Sequence, residues 1–91
     1  MRLREIEWTV QARRAYRLLS DRIKHEIIRT LKDILADGLV PTAEELEREL
    51  QDRYRFKVDG DRVIMMVRDD TLIVIDIRRR NRLTYLNIPI L

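Results

Sequence analysis

The chain has 91 residues, 45% of them hydrophobic and 38% charged, which is the profile of one folded domain with a core and not of a disordered chain. It has no cysteine and a single histidine, His25, which excludes disulfides, thiolate or histidine metal sites and paired-histidine acid–base chemistry; no metal and no cofactor are expected. The net charge of +3 is compatible with an anionic partner without requiring one.

The opening "REIEWTV" alternates Ile6, Trp8 and Val10 with charged or polar residues, the period of a half-buried strand. From Ala12 the period lengthens. Ala12, Tyr16, Leu19, Ile23, Ile27, Leu31 and Ile34 recur every three or four residues, while most basic side chains fall off that stripe. Ser20-Asp21 interrupts the pattern with an N-cap, so it predicts a hairpin of two helices, about 12–19 and 21–36, ended at Asp37-Gly38. Thr42 and Glu45 match a capping box, and with Leu46 and Leu50 they predict a short acidic helix over 43–51.

"YRFKV" restores alternation, with Tyr54, Phe56 and Val58 on one face and Arg55 and Lys57 on the other. Asp59-Gly60 is a two-residue hairpin signal in which Gly60 would supply the positive φ. "RVIMMV" is the partner strand and Asp69-Asp70 the next turn. "TLIVIDI" is apolar enough to be a central strand. "LTYLNIPI" reads as a last short strand that Pro89 confines to an edge or an end. The whole of 1–91 is then a single α+β domain: an N-terminal strand, a helix hairpin and an antiparallel meander of three or four strands, with the helices on one face of the sheet.

Charge is unevenly placed along this order. Residues 41–52 carry one basic and five acidic side chains, whereas residues 53–91 carry nine basic and five acidic. The basic excess therefore lies on the segment that reads as sheet, and it peaks at Arg78, Arg79, Arg80 and Arg82. Like charges packed that closely are mutually unfavourable without an anionic partner.

The stretch "YRFKVDGDRVIMMVRDDTLIVIDIRRRNRLTY" resembles the RelE/ParE toxin superfamily of type II toxin–antitoxin systems, and in particular its RelE-like mRNA interferase branch. The likeness lies in a basic alternating strand, a hairpin glycine followed by arginine, a "RVIY"-like strand, an Ile-rich strand, a basic loop and a tyrosine. "IEWTV" and the helix hairpin fit the front half of such a domain. The resemblance implies a ribosome-dependent endoribonuclease that cuts mRNA by attack of the ribose 2′-OH on the adjacent phosphate and so inhibits translation. It implies as partners a cognate antitoxin, the ribosome and mRNA, with no membrane and a cytoplasmic location. No window approaches the roughly 20 apolar residues of a membrane span, and the charged opening is unlike a secretion signal.

Carried over by position, the resemblance makes Arg62, Arg79 or Arg80, and Tyr85 the catalytic set. Arg55, Lys57, Arg78 and Arg82 are then the RNA-binding set. The chemistry suits these residue types, because guanidiniums stabilise charge that builds on a phosphorane, and a tyrosine between cations can stack or accept a proton. Two positions depart from the pattern. Met65 replaces the tyrosine of "RVIY", and Asp61 stands where an aromatic is usual, an anion that would repel a phosphate there. The alternatives are a ParE-like inhibitor of DNA gyrase, acting by protein binding, and a non-catalytic RNA-binding relative.

Overall fold

The computed structural model describes residues 3–38, 46–50 and 53–79. Strand β1 (Glu5–Trp8) leads through Thr9 into helix α1 (Val10–Arg17), and helix α2 (Asp21–Asp37) follows after Ser20. Then come β2 (Leu46–Leu50), β3 (Arg53–Val58), β4 (Asp61–Arg68) and β5 (Thr71–Arg79). Among the described residues the sheet has the order β1-β5-β4-β3-β2, with β2 to β5 an antiparallel meander and β1 parallel to β5. The α+β architecture expected from the sequence is the observed one.

The hairpin of helices starts two residues earlier than the apolar stripe indicates. Thr9, not the stripe, sets the start: its hydroxyl accepts the Ala12 amide hydrogen at 3.0 Å, which satisfies one of the free donors of the first turn. Ser20 caps α2 in the same way through the Ile23 amide. Gly38 ends it with φ of 85°, its N–H returning to the Ile34 carbonyl at 2.8 Å. Ala12, Ile23, Ile27, Leu31 and Ile34 then bury the helix stripe against Phe56, Val58, Val63, Met65, Leu72, Val74 and Ile77. Trp8 is half-buried at the edge of this core, edge-to-face with Tyr16 at 5.2 Å between ring centroids.

Two local expectations are corrected. Within the span expected to be an acidic helix over 43–51, Leu46–Leu50 is instead a strand paired antiparallel with β3, Leu46 opposite Phe56 and Arg48 opposite Tyr54. Five residues with leucines at both ends satisfy a strand as well as a helix turn, and the open edge of β3 decides the contest by taking up backbone hydrogen bonds. In the β3–β4 turn the positive φ falls on Asp59 (54°) and not on Gly60, and Asp69 (56°) plays the same part between β4 and β5. Aspartate tolerates the left-handed region because its short side chain can hydrogen-bond locally. The expected strand in "LTYLNIPI" lies outside the described residues. Among those described, no helix is long and apolar enough to cross a membrane.

Candidate functional site

One face of the meander packs on the helices, so strand alternation sends the other residues to the opposite face. Phe56, Val58, Val63, Met65 and Ile77 are buried against the helices. Arg53, Arg55 and Lys57 of β3, Arg62 of β4 and Arg78 of β5 belong to the other face. The register then aligns them. Lys57 is the partner of Arg62, and Arg62 is the partner of Arg78, so three cations form one row across three adjacent strands. Directly opposed residues of an antiparallel pair have Cα atoms roughly 4.5–5.5 Å apart, which puts the row within about 10 Å.

The next row along the strands is Arg55, Ile64 and Asp76, and the one after is Arg53, Met66 and Ile73. Cations therefore concentrate toward the β3–β4 turn. Lys57 is exposed and Arg62 half-buried, and among the described residues neither has an ion-pair partner. Arg78 is exposed and donates through Nε to Asp76 at 3.2 Å.

The acidic residues nearest in sequence do not neutralise Arg62. Asp59 is held by Arg22 at the start of α2, a hydrogen-bonded pair that raises the Arg22 pKa further above its ordinary value. Asp61 lies on the helix side, 4% exposed, with its Oδ1 lacking a hydrogen-bond partner. Burial pushes its carboxyl pKa above the usual range, against the pull of Arg79 and with a small push from Asp59. The anion expected to repel a phosphate thus faces away from the cationic row.

Of the arginine run, the register puts Arg78 in the row and Arg79 opposite Asp61, on the other face. Arg80, Arg82 and Tyr85 lie outside the described residues. A feature that sequence reasoning passed over is the surround of Arg78. Between Ile64 and Met65 the register shifts: Ile64 pairs with Asp76 but Met65 with Val74, leaving Ile75 as the extra residue of a bulge. Asp76 follows that bulge, and no sequence signal links it to Gln11, its partner in α1. A lone aspartate inside "IVIDI" was the one hint available.

Two concavities among the described residues lie elsewhere. One of about 550 Å³ is lined by Leu3, Arg4, Lys32, Leu35 and Ala36, and one of about 350 Å³ by Trp8, Arg13, Tyr16, Arg17 and Ile28. Neither includes a residue of the cationic row. A sheet face of this kind suits a chain-like anion laid across strands better than a small molecule enclosed in a pocket.

No model of a known protein family matches the sequence, and no curated protein does. Solved structures do match the fold. Over 94% of this chain and 97% of the other, it superposes on the isolated E. coli RelE toxin with a TM-score of 0.71 at 19% identity. The RelB-RelE antitoxin-toxin complex from Methanococcus jannaschii gives a TM-score of 0.71 at 12% identity, over 86% of this chain and 94% of that one. The YoeB dimer from Staphylococcus aureus gives 0.68 at 22% identity, over 89% and 100%.

Proposed function

We propose, on the premise that this chain has the RelE-like fold, that it is the toxin of a toxin–antitoxin pair and acts as a ribosome-dependent mRNA endoribonuclease. The observation that carries the reading is the row Lys57–Arg62–Arg78 on the sheet face opposite the helices. In the reaction proposed, the 2′-oxygen attacks the adjacent phosphorus and the bond to the 5′-oxygen breaks. The products are a 2′,3′-cyclic phosphate and a 5′-hydroxyl. No external nucleophile, metal or cofactor is needed for the atoms to balance. The charge that builds on the non-bridging oxygens is greatest at the phosphorane, so fixed cations favour the transition state over the ground state.

Within this reading Arg62, central in the row, grips the scissile phosphate. Lys57 and Arg55 bind the flanking backbone, and Arg78 extends the grip to β5. Arg80 and Tyr85 retain the roles that the resemblance implies and Arg82 its RNA-binding role, the tyrosine stacking on a base or accepting the 2′-proton. Arg79, on the helix side of the sheet, takes no part in the row. The partners are a cognate antitoxin, in keeping with the RelB-RelE complexes of the same fold, and the ribosome with its mRNA.

The test is brief induction without antitoxin, followed by mapping of mRNA 5′ ends on ribosomes. New 5′-hydroxyl ends at the ribosomal decoding site, lost in Arg62→Ala, are the expected result. A DNA-damage response with intact mRNA would instead identify a gyrase inhibitor. Salt-sensitive RNA binding without new ends would identify a non-catalytic binding module.

A further inference from the structure

One buried charge has no part in the reading above. Asp76 sits inside the apolar run of β5, only 8% exposed. A buried carboxylate needs donors, and this one has three. Its Oδ2 accepts from Gln11 Nε2 at 3.0 Å and from Arg78 Nε at 3.2 Å, and its Oδ1 accepts from the Ile77 amide at 2.8 Å. Two of these donors belong to β5 and one to the first turn of α1, 65 residues away in sequence.

The corner around it is built from the same two elements. Thr9 donates its N–H to the Val74 carbonyl at 3.1 Å and its hydroxyl to the Ile75 carbonyl at 2.5 Å. The same hydroxyl oxygen accepts from Ala12 and so starts α1. The bulge frees the Ile75 carbonyl from the ladder and turns Asp76 to stand opposite Ile64, on the face of the cationic row. Helix α1 is thus fastened to β5 at the bulge, and its Gln11 fixes the carboxylate that holds Arg78.

We propose that Asp76 is the positioning residue of the cationic row. It holds the guanidinium of Arg78 by Nε and leaves Nη1 and Nη2, the fork that can take two phosphate oxygens, to the ligand. An exposed arginine otherwise samples many rotamers, and a phosphate must order it on binding. Prior fixation removes that loss and converts a loose cation into a preorganised one. The carboxylate itself does little to repel the phosphate, because it is buried and satisfied by three donors. The role rests on the ribonuclease reading; the Asp76–Arg78–Gln11 geometry does not.

The experiment is a double-mutant cycle on cleavage of ribosome-bound mRNA under single-turnover conditions, joined to NMR of arginine Nε–Hε groups in the free protein. Asp76→Asn is expected to slow cleavage at saturating ribosome about 10-fold, with the half-saturating concentration changed less than about twofold. Placed in an Arg78→Ala background it should have no further effect beyond about twofold. Gln11→Ala leaves the carboxylate in place and guards against misfolding of the first variant. It should slow cleavage about threefold, again only while Arg78 is present. In NMR the Arg78 Hε signal should exchange slowly in the wild type and be lost in Asp76→Asn. Additive losses in the cycle, or an Arg78 signal unmoved by Asp76→Asn, would overturn the positioning role while leaving the ribonuclease reading intact. Wild-type protein that cuts no mRNA would sink that reading and this role together.

Discussion

Asp61 and Asp76 are both buried aspartates of the hairpin strands, yet their surroundings differ in the one respect that matters. Asp76 has three donors, whereas Asp61 Oδ1 has none. Burial raises the Asp61 pKa more than the Arg79 charge lowers it. The folded state therefore holds the Asp61 proton more tightly than the unfolded chain does. Stability from this group is present at acid pH and is lost as pH rises through the elevated folded value. Asp61→Asn removes the charge and should stabilise the protein at pH 7 by about 1 kcal/mol, or ~4–8 °C in Tm. The gain should shrink toward zero as pH falls below about 4, where wild-type Asp61 is already protonated. Thermal unfolding of both proteins at pH 7 and pH 4 measures it. An equal gain at both pH values would mean that the effect is not one of charge.

At the scale of elements, Thr9 joins three of them. It ends β1, caps α1 and closes the β5 bulge. Thr9→Val keeps the shape but loses the hydroxyl, so both the cap and the Ile75 contact go. A loss of about 1–2 kcal/mol is expected, read as a lower midpoint in urea with an unchanged slope. Strand β2 invites a different measurement. It lies at the end of the strand order, so alternate amides of Leu46–Leu50 pair with β3. Hydrogen exchange should show protection that alternates along those five residues; continuous protection would indicate the helix that the capping box suggests. Much of this level was legible in sequence. Helix periodicity, the Ser20 cap, the Gly38 stop and the alternation of "YRFKV" are local signals, and the structure keeps them. What was illegible is what depends on distant chain. Leu46–Leu50 takes its state from the edge of β3, and Arg78 rather than Arg79 joins the row because the Ile75 bulge shifts the register. The bulge itself is held by Thr9, which no pattern near residue 75 reveals.

The molecule as a whole divides its labour between two faces of one sheet. The helix side buries the core, and the other side collects like charges that the core does not need. Two like charges roughly 4 Å apart repel by about 1 kcal/mol even at the dielectric of water. In this row the charge of Arg78 is offset by Asp76, whereas among the described residues that of Lys57 is not. Arg62, in the middle, faces the unpaired Lys57 and has no ion-pair partner of its own among the described residues. On the proposed reading this face is kept for function at the expense of stability, which makes a double prediction. Arg62→Gln should raise the stability of the free protein by about 1 kcal/mol at low salt, with the difference fading at 0.5 M salt as screening shortens to about 4 Å. On the proposed ribonuclease reading, the same substitution should slow cleavage of ribosome-bound mRNA by about 100-fold or more, since in that reading it removes the central charge at the phosphorane. Paired thermal melts at two salt concentrations and single-turnover cleavage make the two measurements. Arg62 serving only as a solubilising surface residue would leave cleavage unchanged. A loss of both stability and cleavage would make Arg62 a packing residue, its stem covering the sheet, and would move the candidate site away from the row.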